Sequence, residues 1–210
     1  MRDKFYGDNR DIVKWGVLLE LADRFCCGEI LQVLYYRQDY RQETISVDGE
    51  KVPLPLKVIE HFRDVRAIKR MESRVPIKLI YDEFRDRTDY LRIIQEAITN
   101  KTKSPIILFL DPDIGLEPQS LEKGNHHICR AEPTHVCEIE VREIWKKLNK
   151  GDVLVCYQHQ DNRANREWIN RKKDQLAKAL GFDEENRKRV KIAYAPEIAK
   201  DVAFYYIQKD

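Results

Sequence analysis

Short apolar runs alternate along the chain with longer stretches in which apolar residues recur every three or four positions. The short runs are typical of buried strands, and the longer stretches are typical of helices with one apolar face. Polar residues 37–53 contain the pair Asp48-Gly49, which favours a tight turn and predicts a hairpin or loop excursion. We predict strands at 30–36, 77–81, 106–110, 153–157, 190–194 and 202–207, and helices at 10–25, 55–69, 83–99, 138–150 and 162–180.

Strands and helices that alternate in this way predict a mainly parallel sheet with helices on both faces. The last two strands are separated by about eight residues, too few for a crossover helix, so we expect them to pair antiparallel at or near an edge. The prediction is one Rossmann-like α/β domain over residues 1–210, with an inserted loop or hairpin at 112–137. In such sheets ligands bind beyond the carboxyl ends of the strands, so functional residues should follow Tyr36, Tyr81, Leu110 and Tyr157.

The composition excludes several classes of protein. Of the 210 residues 42% are hydrophobic and 35% are charged, so the chain can bury a core and is neither disordered nor collagen-like. No run of about 18 apolar residues could span a bilayer, and the first residues do not resemble a signal peptide. We therefore expect a soluble cytoplasmic protein with no membrane partner. The odd number of cysteines and the adjacent Cys26 and Cys27 favour reduced thiols, and Cys156 should be a buried hydrophobe.

The sharpest chemical feature is the segment 109–117, FLDPDIGLE. Asp111 follows an apolar strand and should therefore lie at the ligand-binding edge of the sheet. Gly115 permits a turn that would bring Asp113 and Glu117 near the same edge. In one interpretation, Asp111 and the carbonyls around Pro112 accept hydrogen bonds from an exocyclic amine. In a second, the three acids hold Mg²⁺ through oxygen ligands. In a third, the segment is a strand-terminating turn in which Asp113 bonds its own backbone.

A second candidate group follows the strand at 153–157. Tyr157, His159 and Arg163 should lie on the same rim as the FLDPDIGLE segment. His159 is a candidate base, metal ligand or contact to a substrate phosphate. The competing interpretation is an ordinary surface histidine.

Three blocks carry a resemblance to a known family: GDNRDIVKW near the start, the central LDPDIGLE and the strand GDVLVCY. In this order and at these separations they resemble the bacterial ribosomal-RNA adenine-N6 methyltransferases of the RlmJ type. Those enzymes have an Asp-Val-Leu-Lys-His run and a catalytic Asp-Pro-Pro-aromatic motif after a central strand. The chain also resembles uncharacterised bacterial proteins with an Asp-Pro-Asp-x-Gly-Leu motif.

The resemblance implies a class I methyltransferase-type sheet, S-adenosylmethionine as cofactor and Asp111 as acceptor for the adenine amine. Two departures alter this picture. Asp113 and Ile114 replace the second proline and the aromatic residue of the motif, so the base-stacking wall is missing. Arg37-Gln38-Asp39 follows the first strand where a glycine-rich turn would let a cofactor approach. The residues that the resemblance places near the cofactor are Asp8, Asn9, Asp11 and Lys14.

The segment HHICRAEPTHVC holds a further group of metal-ligand residue types. If RAEPT is a hairpin loop, His127 and Cys129 share one strand face and His135 and Cys137 share another, so four ligands could converge on zinc. The one-residue spacers differ from the usual two to four, which makes zinc a minor interpretation. His126 precedes the group.

Basic residues are frequent between positions 163 and 191 and could contact the phosphates of RNA or DNA. Interleaved acidic residues favour a solvated helix face instead. The basic residues are Arg163, Arg166, Arg171, Lys172, Lys173, Lys178, Arg187, Lys188, Arg189 and Lys191.

Three function hypotheses follow from these patterns. The leading one is an S-adenosylmethionine-dependent methyltransferase, or a diverged descendant, that acts on nucleic acid. The second is a Mg²⁺- or Mn²⁺-dependent phosphodiesterase or nuclease, and the third is a non-catalytic binding module on the same fold. For the first, the catalytic candidates are Asp111, Asp113 and His159, and the substrate contacts are Tyr157, Arg163 and Glu117. For the second, the metal ligands are Asp111, Asp113 and Glu117 or Glu122, with Lys123 or His159 at the phosphate.

Overall fold

The predicted alternation of strands and helices is present in the computed structural model, which describes residues 6–37, 44–62, 64–118, 132–160 and 167–210. The helices are α1 Asn9–Arg24, α2 Leu56–Phe62, α3 Arg87–Thr99, α4 Glu138–Lys147 and α5 Glu167–Ala179. The strands are β1 Glu29–Val33, β2 Thr44–Val47, β3 Glu50–Pro53, β4 Ile77–Ile80, β5 Ile106–Leu110, β6 Gly115–Leu116, β7 His135–Val136, β8 Val153–His159, β9 Lys191–Ala193 and β10 Val202–Gln208. Two 3-10 helices cover Val65–Arg70 and Asn186–Arg189.

The main sheet has the strand order β4-β1-β5-β8-β10-β9. The first four of these strands are parallel to one another. The final strand of the chain, β10, is antiparallel to both of its neighbours and lies between β8 and the edge strand β9. The predicted Rossmann-like α/β sheet, mainly parallel with an antiparallel C-terminal strand pair, is therefore confirmed.

Helices cover both faces of this sheet, and each face has its own apolar core. On one face, Leu18 of α1 belongs to the same buried cluster as Phe109 of β5. On the other face, Ile94 of α3 and Ile144 of α4 share a cluster with Leu108 of β5. Full burial of a side chain of this size stabilises the fold by about 1.5–3 kcal/mol. The alternation of Leu108 and Phe109 thus fixes which face of the sheet each helix covers.

The predicted helix at 55–69 is two separate segments. Helix α2 ends at Phe62, and the 3-10 helix begins after Asp64, whose carboxylate accepts a hydrogen bond from the backbone N–H of Arg66. This cap starts a new segment at a position that the apolar spacing alone does not mark. The hairpin predicted around Asp48-Gly49 is confirmed as β2 and β3, and both turn residues have positive φ.

The insertion predicted at 112–137 is described only in part. Strands β6 and β7 pair in parallel within the described portions of this stretch, for which the sequence predicts a loop or hairpin. No helix in the described ranges is long and apolar enough to cross a membrane.

Candidate functional site

A buried polar cluster lies where the carboxyl ends of β1 and β5 meet the N-terminal half of α1. We call Asp11, Lys14, Gln32 and Asp111 the carboxyl-end cluster. The Lys14 ammonium lies 2.6 Å from Asp11 Oδ1 and 3.0 Å from Asp111 Oδ2. The Gln32 amide donates to the same Asp111 Oδ2 at 2.7 Å. The cluster brings together the first and second of the three sequence blocks.

The start of α1 sets the position of its two cluster residues. Asp8 is the N-cap, and its carboxylate accepts hydrogen bonds from the backbone N–H groups of Arg10 and Asp11. Asp11 and Lys14 are three residues apart and therefore share one face of the helix, which is turned toward the sheet. Of the four predicted cofactor contacts, Asp11 and Lys14 lie buried at Asp111, whereas Asp8 is half-buried and Asn9 is exposed in the first turn.

Burial and charge compete within the cluster. Burial disfavours the charged form of Lys14, but the carboxylates of Asp111 and Asp11 outweigh it and hold the pKa of Lys14 above its ordinary value. Burial raises the pKa of Asp111, and the Lys14 ammonium opposes that shift. Tyr157 of β8 completes the surroundings with its ring centroid 5.7 Å from the Lys14 ammonium, and burial raises the pKa of its hydroxyl.

The two oxygens of Asp111 have different surroundings. Both side-chain donors, the Lys14 ammonium and the Gln32 amide, bond to Oδ2. Within the described part of the chain, no hydrogen bond reaches Oδ1. The backbone N–H of Asp111 is also fixed, because it donates to the carbonyl of Val33 at 2.9 Å. The carboxylate is therefore held through one oxygen and offers the other as an acceptor.

His159 lies at the end of β8, beside the start of β10. Its Nε2 is 3.1 Å from Asp201 Oδ2, and its Nδ1 is 2.9 Å from the carbonyl of Gln160. Arg10 of α1 also donates to Asp201, from Nε at 3.2 Å. The hydrogen bond from Arg10 holds the pKa of Asp201 below its ordinary value. The predicted base candidate is thus part of a rim network that joins α1, β8 and β10.

Gln158 ties the segment after β5 to the end of β8. Its Oε1 accepts from the backbone N–H of Leu116 at 2.9 Å, and its Nε2 donates to the carbonyls of Ile114 and His159 at 3.1 and 2.8 Å. Gly115 has φ +128°, and a Cβ there would lie 2.4 Å from Gln158 Oε1. Only glycine lets the glutamine approach this closely. The two predicted halves of the site are therefore joined by one buried amide.

The remaining acids of the FLDPDIGLE segment have their own partners. Asp113 forms an ion pair with Arg37, which follows β1, at 3.3 Å. The backbone of Glu117 is held at both ends, because its N–H donates to the carbonyl of Val136 and its carbonyl accepts from Gln175. The segment is thus fixed to β1, β7 and α5.

Lys172 shows that one part of the basic pattern has a structural role. Its side chain is buried, and its ammonium donates to the carbonyl of Leu116 at 2.8 Å and to Gln175 at 2.9 Å. The inclusion of Lys172 in a phosphate-tracking surface is therefore wrong. Arg163 and Arg166 lie outside the described residues.

The end of β1 has a strained turn without glycine. Tyr35 is fully buried with φ +46°, a left-handed conformation that favours glycine. Its N–H donates to the Tyr90 hydroxyl, and the N–H of Phe84 donates to the carbonyl of Tyr36. The Tyr90 ring lies 5.3 Å from Tyr35 and 5.2 Å from Phe84, centroid to centroid. These aromatic rings occupy the α3 side between the ends of β1 and β4.

The described residues do not form the metal sites that the sequence suggested. In the described ranges, no group of three or more His, Cys, Asp or Glu side chains could hold a metal ion. Of the zinc candidates, His126, His127 and Cys129 lie outside the described residues, as do Glu122 and Lys123. His135 is buried beside Thr134, and Cys137 is disulfide-bonded.

The cysteines agree only in part with the prediction of reduced thiols. Cys26, Cys27 and Cys156 are free, but the prediction is wrong for Cys137, which is bonded to another sulfur. Cys156 is fully buried, as expected, and burial raises the pKa of its thiol to about 12. It is therefore an unreactive member of the core.

Comparison with known proteins does not identify a family for this chain. No protein-family model matches the chain, and no curated protein matches it. Among solved structures, the chain is similar to a DUF574 family protein from Streptomyces avermitilis, with 9% sequence identity and a TM-score of 0.41. The match covers 96% of this chain and 82% of that one. At this level of similarity, the match supports no functional argument.

Sequence reasoning missed three residues that shape the site: Gln32, Gln158 and Asp201. Gln32 is the one polar residue within the run ILQVLYY, and that interruption was the available signal. Gln158 stands beside the predicted His159 but was given no role. Nothing in the local sequence marks Asp201 as a partner of Arg10, because the two are 191 positions apart.

Proposed function

We propose that this protein is an S-adenosylmethionine-dependent methyltransferase, or a diverged descendant of one, that acts on an amine of RNA or DNA. One observation carries the proposal. Asp111 stands at the carboxyl end of the central strand β5 and is held by two donors on Oδ2, and among the described residues no donor bonds to its Oδ1. A fixed acceptor of this kind orients an amine N–H without moving when the substrate arrives.

The backbone at this edge suits the proposed cofactor. Tyr35 keeps the left-handed backbone at the end of β1 that a glycine-rich turn would otherwise supply. Asp8 and Asn9, which are less buried than Asp11 and Lys14, would contact the cofactor. When bound, S-adenosylmethionine supplies an electrophilic methyl group.

The side chains have distinct roles in this proposal. Asp111 Oδ1 accepts one N–H of the target amine and turns the nitrogen lone pair away from the carboxylate. Lys14 compensates the charge of Asp111 and so favours the ionised form of this buried carboxylate against the effect of burial. His159 at the rim, oriented by Asp201, is the proposed acceptor of the proton that the amine loses.

Nucleic acid is the proposed substrate class. The resemblance of the LDPDIGLE segment to adenine-N6 methyltransferases supports an exocyclic base amine as the acceptor. Basic residues on α5 and in the turn after it, such as Lys178 and Lys188, are exposed and can contact phosphates.

Calorimetry with S-adenosylmethionine and its demethylated product tests the proposal. We expect both to bind the wild-type chain and the Asp111→Asn variant, because Asp111 contacts the amine and not the cofactor. Methyl transfer should be lost in Asp111→Asn. Absence of binding to the wild-type protein at millimolar concentration would refute the methyltransferase assignment.

A non-catalytic binding module is the second candidate, and the aromatic cluster favours it. The rings of Tyr35, Phe84 and Tyr90 pack against one another at the end of β1, where the resemblance would place a glycine-rich turn beside the cofactor. If this candidate is correct, the protein should bind RNA or DNA equally well after Asp111, Asp113 and His159 are replaced together. Loss of binding in that triple variant would count against it.

The metal-dependent nuclease has no supporting geometry in the described residues. Asp111 is paired with Lys14 and Asp113 with Arg37, so each predicted metal ligand already has a cationic partner. We therefore do not propose it.

A further inference from the structure

A buried glutamine interrupts the apolar strand β1. Gln32 is 1% exposed, and its neighbours Leu31 and Val33 belong to the apolar core. Its Nε2 donates to Asp111, but its Oε1 is buried and has no hydrogen-bond partner in the described part of the chain. An unpaired buried amide oxygen destabilises a fold, so packing alone does not explain a glutamine here.

The orientation of the Gln32 amide is fixed by its acceptor. If the amide were turned over, its oxygen would face the carboxylate of Asp111, and two acceptors would repel each other. The N–H therefore points to Asp111 Oδ2, and the oxygen is left unpaired as a consequence. The hydrogen bond to Asp111 is thus made at the expense of a partner for the Gln32 oxygen.

We propose that Gln32 is a positioning residue that sets the orientation of the Asp111 carboxylate; this inference rests on the proposed function. Lys14 provides a point charge on a flexible stem and can follow Oδ2 through a range of carboxylate rotations. The Gln32 amide projects from a central strand that is paired on both sides, so it provides a fixed direction. Together the two donors hold Oδ2 inward and direct Oδ1 to the target amine.

The experiment replaces Gln32 with Met, which has a similar length and no N–H donor, and independently with Leu. The matched control is Glu29→Gln, which alters a buried polar side chain at the opposite end of the same strand. Methyl transfer to RNA and DNA and the Kd for S-adenosylmethionine are measured for each variant. We expect an unchanged Kd and a fall in turnover of about 10²-fold for Gln32→Met and Gln32→Leu, with unchanged turnover for the control.

A purely structural role predicts a different pattern. It predicts that both Gln32 variants lose melting temperature and that their turnover, corrected for folded fraction, stays at the wild-type level. That result overturns the proposal.

A second readout does not depend on the reaction. Crystal structures of the wild-type and Gln32→Met proteins should differ in the rotation of the Asp111 carboxylate, with Oδ2 no longer fixed between two donors. An Asp111 carboxylate that keeps its wild-type orientation overturns the role of Gln32 whatever the enzyme assays show. If wild-type protein transfers no methyl group, the proposed function fails, and the crystal structures still decide the positioning role.

Discussion

Two buried carboxylates at opposite ends of the same sheet are used in different ways. At the amino end, Asp152 is fully buried and both of its oxygens are occupied. Oδ1 accepts from the backbone N–H of Ile106 at 3.0 Å, while Oδ2 accepts from the N–H of Asn149 at 2.8 Å and from the Lys101 ammonium. At the carboxyl end, the Asp111 carboxylate accepts from two side chains, both on Oδ2, and in the described ranges no hydrogen bond reaches its Oδ1.

The difference distinguishes a structural carboxylate from one available to a ligand. Asp152 joins β5 to the turn before β8, and its hydrogen bonds stabilise this part of the fold. Asp111 has comparable burial, but its Oδ1 accepts no hydrogen bond from the described residues, and it lies at the edge where α/β sheets bind ligands. The predictions below test this contrast, from the largest expected effect to the smallest.

Replacement of Asp152 by Ala should have the largest effect on stability. It leaves two backbone N–H groups and the nearly buried Lys101 without their acceptor. Loss of one partner from a buried charge pair destabilises by about 3–5 kcal/mol. Urea denaturation gives the free energy of unfolding, and Asp152→Asn, which retains an acceptor oxygen, should lose less. A loss below about 1 kcal/mol for Asp152→Ala would contradict the structural role.

Replacement of Lys14 by Met should cost about 3 kcal/mol of folding free energy, because it removes the ammonium that pairs with two buried carboxylates. The double variant Lys14→Met with Asp111→Asn should be more stable than the sum of the single losses predicts. The expected coupling is about 1–3 kcal/mol by double-mutant cycle. Additive losses would show that the two side chains do not interact.

Replacement of Gly115 by Ala should destabilise by about 1–3 kcal/mol, since the new Cβ displaces the Gln158 amide and the residue has positive φ. The control is Gly16→Ala in α1, where a Cβ has open space and alanine is the better helix former. That control should gain up to about 1 kcal/mol. Equal effects of the two substitutions on the thermal midpoint would contradict the link between Gly115 and Gln158.

The pH dependence of stability should have opposite signs for Asp111 and Asp201. Burial raises the folded-state pKa of Asp111 above 3.8, so its contribution is full at lower pH and is lost as pH rises through the folded value. The Arg10 hydrogen bond lowers the pKa of Asp201, so its contribution is present above 3.8 and is lost as pH falls.

Unfolding of wild type, Asp111→Asn and Asp201→Asn between pH 2 and pH 7 measures both signs. The wild type should lose stability relative to Asp111→Asn as pH rises and relative to Asp201→Asn as pH falls. The Asp201 effect should stay below about 1 kcal/mol, because the pair is partly exposed. Parallel curves for the three proteins would show that neither carboxylate has a shifted pKa.

The sequence predicted the secondary structure and sheet topology better than the side-chain contacts in the candidate site. Apolar runs such as IILFL predicted the buried strand β5, and the short connection around Pro196 predicted an antiparallel final pair. These features depend on local patterns. The family resemblance, not a local pattern, implied that Asp11 and Lys14 lie near a cofactor and that Asp111 accepts the amine, and it did not predict their direct contacts.

The missed contacts depend on non-local geometry or on the exact face of a helix. Lys172 stands four residues after Trp168 and four before Leu176, so it lies on the buried face of α5, yet its charge suggested solvent. In the sequence Gln32 only interrupts an apolar strand, and its hydrogen bond to Asp111 is visible only in the structure. Tyr35 occupies a left-handed turn that composition assigns to glycine, and tertiary packing of its ring holds it there.

Transfer of a tritiated methyl group from S-adenosylmethionine to RNA and DNA tests the central claim most directly. Wild type, Asp111→Asn and Asp152→Asn are compared at equal concentrations of folded protein. We predict that wild type and Asp152→Asn transfer the label to nucleic acid and that Asp111→Asn does not. Equal transfer by Asp111→Asn and wild type, or no transfer by wild type to either nucleic acid, would contradict the account.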